Sequence, residues 1–277
     1  MISAKVIEKS VSPFGKVITT FELRYPRFIH SEFMTHRMFS RNASSSRAIP
    51  VAKILDSIMC EPARPIHWGA NQPGMQANEE LGQPAKVQVQ SLWNEACNAA
   101  CELAAKMTEL GAHKQIVNRI TEPFQHISVI VTATEWPNFY ELRNHPDAQP
   151  EIHELARVML EADANAPETR RTGSMSYAAA WHLPYVTEQE RVDHSWMPEL
   201  LCRISAARCA RVSYLTHDGQ SPSIEKDLAL FDRLVGGVPL HASPIEHQAV
   251  WHDGDHMSRN FRGWTQHREI YEASIGL

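Results

Sequence analysis

THRMFSRNASSSR, residues 35–47, is the stretch on which the reading of this chain turns. Three arginines, four serines, one asparagine and one histidine fall within its thirteen positions, and no acid interrupts them. Guanidiniums grip phosphate oxygens through paired N–H donors, while serine hydroxyls and loop amides add neutral donors. Such a run at the end of a helical pattern suits a nucleotide phosphate or a flavin diphosphate. Its plain alternative is a solvated, serine-rich surface loop.

The flanks give that run its setting. Upstream, Lys5 to Lys9 and Lys16 to Leu23 place β-branched residues between turn formers, with Val17, Thr19 and Phe21 alternating against Ile18, Thr20 and Glu22, which predicts a strand pair. A helical pattern runs from Ile29 to Phe39, and RNASSSR after it is expected to be loop because it has no face to bury. Glu61 to Pro84, rich in Pro, Gly, Asn and Gln, reads as a long surface connection. From Lys86 to Met107, Val89, Leu92, Trp93, Ala96, Cys97, Ala100, Leu103 and Ala104 recur at helical steps, with Gly111 as the stop.

A strand is expected at Ile127 to Val131, then helices over Trp136 to Arg143 and Glu151 to Leu160. Ala164 to Trp196 shows little periodicity. Helices return at Pro198 to Val212 and Ile224 to Leu234, followed by a strand near His247 to Trp251 and an amphipathic segment from Ser258 to Tyr271. Few strands among many helices favour an α+β fold over a regular βαβ alternation.

Composition bounds the function. With 43% apolar residues in 277, the chain can bury a substantial core. A net charge of −5 gives no overall pull toward nucleic acid polymers or anionic membranes, so any anion has to be bound locally. No leader pattern opens the chain and no run of about eighteen apolar residues occurs, so a cytoplasmic location is expected. The cysteines Cys60, Cys97, Cys101, Cys202 and Cys209 form no CxxC pair and read as reduced thiols. The fifteen histidines include no HExxH, and no metal site is expected.

Flavin-dependent thymidylate synthases carry a signature of the form RHRxxSxNxxSxRY, and this sequence resembles it at His36, Arg37, Ser40, Asn42, Ser45 and Arg47. The resemblance continues through TTFELRYPRF, GAHKQIVNRITEP, the FYELR step ending at Arg143, and AQPEI from Ala148 to Ile152, in family order over about the first 160 residues. The segments that open such a domain lie near the other end of this chain, as RCARVSY (Arg208 to Tyr214) and HASPIEH (His241 to His247). We read a circular permutation or partial duplication of one domain, feasible because domain termini often lie close together. Its core motifs span 1–163, an irregular connection 164–196, and the displaced segment 197–277. SPFGKVITTFEL and SPIEHQAVW, each followed by a His-Arg pair (His36-Arg37 and His267-Arg268), form an internal echo that chance explains as well as duplication does.

The resemblance implies a small, mostly antiparallel sheet flanked by long helices. It implies transfer of a methylene from methylenetetrahydrofolate to C5 of dUMP, with FAD carrying the hydride, NADPH recharging it, and no cysteine nucleophile. Arg143 takes the role of stabilising negative charge on the uracil ring. Ser45, Arg47 and Arg119 would hold the nucleotide, and His36, Arg37, Asn42, Asn138 and Ser243 would line the flavin. His241 is a second candidate for catalysis, with a structural role equally open. Arg119 and Arg143 also read as helix-end cations, and Asn138 as a cap. A homotetramer with flavin sites between subunits is implied.

Departures narrow the match. Thr35 stands where the signature has its first arginine, Glu32 where glutamine is usual, Ala43 for glutamate, Ala48 for tyrosine, and His153 for an arginine. One guanidinium fewer and one carboxylate more make the pocket less positive. Hydroxymethylation in place of methylation, dCMP in place of dUMP, a flavin- or nucleotide-binding protein without turnover, and a retained scaffold therefore stay open. NFRGWTQHR, Asn260 to Arg268, is expected to set Arg262, Gln266 and His267 on one helical face.

Overall fold

The computed structural model describes residues 1–213 and 223–277; Tyr214 of RCARVSY lies outside the described residues. In chain order, strands β1 (Ser3–Val11) and β2 (Val17–Pro26) precede the short helix α1 (His30–Phe33), β3 (Ser40–Ala43), α2 (Val51–Cys60), α3 (Gln83–Glu109) and α4 (Lys114–Val117). Next come β4 (His126–Ala133), α5 (Pro137–Arg143), α6 (Pro150–Asn165), β5 (Thr169–Arg170), β6 (Trp181–His182), α7 (Glu188–Asp193), α8 (Pro198–Ala210) and α9 (Ile224–Leu234). Three short strands, β7 (Ala249–Trp251), β8 (Met257–Ser258) and β9 (Phe261–Arg262), lead to β10 (Trp264–Gln266) and α10 (His267–Ser274).

The larger sheet has the order β3-β4-β2-β1-β5, antiparallel except for the β1–β5 edge. The expected strand pair is β1 and β2, closed by a turn in which Gly15 takes φ 76°. One face of this sheet is apolar. Phe21, Leu23 and Tyr25 of β2 and Val129, Val131 and Ala133 of β4 meet Phe139 of α5 and Ile152, Leu155, Ala156 and Met159 of α6. Alternation sends the intervening residues to the opposite face, where Thr20, Glu22, Ser128 and Thr132 are polar while Ile18 packs on Ala249, Phe261 and Trp264 from the C-terminal part of the chain.

That covered face is a hydrogen-bonded layer. Ser10 Oγ meets His182 Nδ1 at 2.8 Å, and His182 Nε2 meets Thr20 Oγ1 at 2.8 Å. Thr20 and Thr132 hydroxyls are 2.6 Å apart, and Thr132 Oγ1 lies 2.8 Å from Nδ1 of His247. Glu8 on β1 takes Arg191 Nη2 at 2.8 Å and pairs with Arg171, all three nearly buried. Burial raises the Glu8 carboxyl pKa, but His182, Arg191, Arg171 and the Ser10 hydroxyl outweigh burial and hold it below the usual range. Burial keeps His182 neutral at pH 7, with a pKa pushed down to about 4, so the two guanidiniums dominate there.

The smaller sheet, β10-β7-β6, sits over this layer, with α8 packing Leu201, Cys202 and Ile204 against Trp181, Leu183 and Val250. Ala206 and Ala207 of the same helix meet Leu230 and Phe231 of α9 and Ile245 of the HASPIEH turn. Helix α3 begins with Pro84 in its first turn and stops before Gly111, whose φ is 82°. Cys97, Cys202 and Cys209 are buried, Cys101 is half-buried and Cys60 exposed, all as thiols.

Three expectations need correction. The helix expected over Ile29 to Phe39 is only the turn Arg27–Ile29 and α1; Phe39 goes instead into the core beside Phe33 and Phe139. RNASSSR does not start as loop. Ser40 to Ala43 add β3 to the sheet edge, because Ser40 and Asn42 face its polar side, where β-pairing satisfies the backbone without an apolar face. Ser258 to Tyr271 is not one amphipathic helix: β8, β9 and β10 occupy its first part, turning at Gly263 with φ 73°. Sequence periodicity also gave no sign of α2, whose buried residues are Ile54 and Ile58.

Candidate functional site

The turn after α1 opens a cleft of about 540 Å³ between residues 35–39, the start of α5 and Arg262 of β9. His36, Arg37 and Asn138 line it together with Thr35, Glu135 and Phe139. The tight turn is held by Arg41, whose Nη1 donates to the carbonyls of Met34 at 2.9 Å and His36 at 3.0 Å. The Thr35 hydroxyl donates to the Glu32 carbonyl at 2.7 Å.

Arg143 ends α5 and reaches back to this turn. Its Nε donates to Nε2 of His36 at 2.9 Å, and its Nη1 pairs with the Glu32 carboxylate. Burial, reinforced by Arg143 and Arg41, pushes the His36 pKa down to about 4. A neutral His36 that accepts at Nε2 carries its proton on Nδ1, which makes it a fixed donor. Its ring packs edge-on against Phe139 at 4.9 Å and stacks on Phe39 at 5.7 Å, which fixes its plane. Arg143 is therefore no helix-end cation facing carbonyls. Asn138 is exposed at the second position of α5, whose N-cap is Trp136, so it does not cap that helix.

A second group gathers around Ser44 to Arg47. Ser46 Oγ donates to Glu122 Oε1 at 3.0 Å, and the same oxygen takes Nη1 of Arg119 at 3.0 Å. Asn118 Nδ2 holds the carbonyls of Ser46 (2.6 Å) and Ile49 (3.0 Å), while Lys114 Nζ holds that of Ala48 (2.9 Å). These bonds bring Arg119 to the loop that carries Ser45 and Arg47. Arg47 is exposed and makes no ion pair among the described residues, so its guanidinium stands open to an anion.

The remaining expected residues are placed differently. Asn42 lies on β3 with its Nδ2 buried and unpartnered. Ser243 and His241 are exposed on the HASPIEH turn, and neither lines the cleft. That turn nevertheless packs beside the signature. Gln266 Nε2 donates to the Glu246 carbonyl at 3.3 Å and to Ser40 Oγ at 3.1 Å, and His247 reaches Thr132 opposite Ser40. Glu246 itself binds Arg268 at 2.5 Å.

Sequence reasoning missed Glu135 and the clamp made by Arg41, and it set Arg262 on a helix. The guanidinium count in residues 35–47 was the available signal for Arg41; nothing local signalled Glu135. Two guanidiniums, a donor imidazole, an amide and an aromatic wall suit a planar, anionic ligand such as a flavin nucleotide. No group of three metal-ligating side chains occurs among the described residues.

The family model described as "Thymidylate synthase complementing protein" matches residues 2–168, more than half the chain and both groups of side chains above. The chain belongs to that family. It is thus a thymidylate synthase-like methyltransferase, and the match ends where β5 closes the larger sheet. Among solved structures it is similar to the UMP/dUMP methylase PolB from Streptomyces cacaoi bound with 5-Br dUMP, at 18% identity and TM-score 0.49 over 59% of this chain and 90% of that one. The same methylase bound with 5-Br UMP matches at 19% identity and TM-score 0.45, over 59% of this chain and 89% of that one. No curated protein matches the chain. Among the described residues, no helix is long and apolar enough to cross a membrane.

Proposed function

We propose that this family member transfers a one-carbon unit to C5 of a pyrimidine deoxynucleoside monophosphate, with dUMP to dTMP as the reference reaction. The observation that carries this reading is Arg143 fixed between His36 and Glu32 beside the cleft that Arg37 and Asn138 line. FAD bound in that cleft supplies the hydride, with NADPH and methylenetetrahydrofolate as co-substrates. His36 and Asn138 orient the flavin by hydrogen bonds; Asn42 and Ser243 are assigned to it by resemblance alone. Ser45, Arg47 and Arg119 hold the nucleotide phosphate and sugar. The Arg143 guanidinium stays protonated and stabilises negative charge that develops on the pyrimidine as C5 becomes nucleophilic. His241 is kept as a polar site residue of the HASPIEH turn. A permuted single domain, a homotetramer and a cytoplasmic location complete the reading, and the packing of HASPIEH against β3 supports the permutation.

A second reading replaces dUMP by dCMP, and Glu32 favours it. A guanidinium already shared with a carboxylate stabilises a uracil anion less, whereas cytosine presents an unprotonated N3 as a ready acceptor. An anaerobic assay with FAD, NADPH, methylenetetrahydrofolate and either nucleotide, with the product identified by mass, separates the two and shows whether methyl or hydroxymethyl is added. Loss of product in Arg47→Ala and Arg143→Ala is expected. Bound flavin without any product from either nucleotide overturns the enzymatic reading in favour of a binding protein, and a colourless protein without nucleotide affinity leaves only a scaffold.

A further inference from the structure

The cleft lacks the arginine that the signature places at position 35, yet it is not short of a cation. Arg262 enters it from the C-terminal third of the chain, beyond the part that the family model matches. The hairpin of β8 and β9 that carries Arg262 is tied to the signature itself. Asn260 Nδ2 donates to the Met38 carbonyl at 3.0 Å and to Ser40 Oγ at 3.1 Å, and Gln266 Nε2 donates to Asn260 Oδ1 at 2.8 Å.

Arg262 is also aimed. Its backbone N–H donates to Thr134 Oγ1 at 2.9 Å, its Nε to Glu135 Oε1 at 2.9 Å, and its Nη1 to the Asp255 carbonyl at 3.1 Å. The Asp255 carboxylate, 3.5 Å from Nη1, is shared with Lys16. Nη2 makes no hydrogen bond among the described residues, so two donors stay open on a side chain that lines the same cleft as Arg37, which makes no ion pair among them either. Thr35, which lines the same cleft, is too short to reach a ligand oxygen as arginine does and spends its hydroxyl on Glu32.

We propose that Arg262 binds the diphosphate of the flavin in this cleft, replacing the guanidinium that Thr35 lacks. This rests on the reading of the cleft as a flavin site. The displaced C-terminal segment is then a working part of the site and more than a cover for the sheet. A diphosphate held between Arg37 and Arg262 receives charge-assisted bonds from two sides, while Glu135 keeps the second guanidinium in place.

Flavin fluorescence titrations of the full-length protein test this with FAD and with riboflavin, which has the ring but no phosphate. Arg262→Ala is expected to weaken FAD about tenfold while changing riboflavin less than about twofold. Adding Thr35→Arg to that variant is expected to restore FAD affinity to within about threefold of the parent. An unchanged FAD affinity in Arg262→Ala, an equal loss of FAD and riboflavin, or no recovery with Thr35→Arg each overturns the proposal. If the parent protein binds neither flavin, the reading of the cleft falls as well, whereas the other failures leave it standing.

Discussion

At the residue scale the decisive contact is the one between Arg143, His36 and Glu32. Removing the guanidinium by Arg143→Ala is expected to lower kcat by about 10²- to 10³-fold, the size seen when a preorganised electrostatic donor is lost. A comparable KM for the nucleotide in that variant, measured by steady-state kinetics, separates this from lost binding; a raised KM with unchanged kcat contradicts the assigned role. Glu32→Gln keeps the shape and frees the guanidinium from its carboxylate. Turnover of dUMP relative to dCMP should rise in that variant, and a ratio that stays put removes Glu32 from base selection. Both residues were visible as types in the sequence. Their pairing was not, since α1 and the end of α5 meet only in the fold.

At the element scale, the turn between β9 and β10 depends on Gly263. Its φ is 73°, and a Cβ there would stand 2.6 Å from Cγ of Lys16. Lys16 is flexible and can yield, but the backbone conformation cannot be relieved. Gly263→Ala is expected to destabilise the protein by about 1–2 kcal/mol, read from the urea midpoint, and to weaken flavin binding by shifting Arg262. A neutral substitution would show that the turn has another conformation open to it. Elements with clean periodicity were legible: β1, β2, α3, α6, α8 and α9 fall where hydrophobic spacing puts them. β3 and the β8–β10 run were not: β3 pairs through its polar residues, and β8 to β10 are only two or three residues each, too short to display an alternation.

At the scale of the whole molecule, the buried polar layer joins the larger sheet to its cover. Glu8→Ala leaves Arg171 and Arg191 buried without their shared carboxylate, and a loss of about 3–5 kcal/mol in urea unfolding is expected. A loss under about 1 kcal/mol would mean that water reaches those guanidiniums. The same layer makes the fold acid-sensitive. Burial lowers the pKa of His182 to about 4 and of His247 to about 3, from 6.5. Both sites bind fewer protons folded than unfolded below pH 6.5, so stability is full above that pH and falls as pH drops toward 4. The cost at pH 5 is on the order of 2 kcal/mol for each. Denaturant midpoints measured at pH 7.5 and pH 5 check this; equal midpoints contradict it, and His247→Gln should reduce the difference.

By itself the sequence determined the α+β class, the family signature at His36 to Arg47 and the candidate guanidiniums, because these rest on local spacing and side-chain chemistry. Only the tertiary structure decided which of them share a site. Long-range hydrogen bonds placed Glu32 on Arg143, and the Asn260 and Gln266 contacts with residues 38–40 brought Arg262 into the cleft. Such contacts join residues 111 to 226 positions apart in the chain, and no periodicity records them.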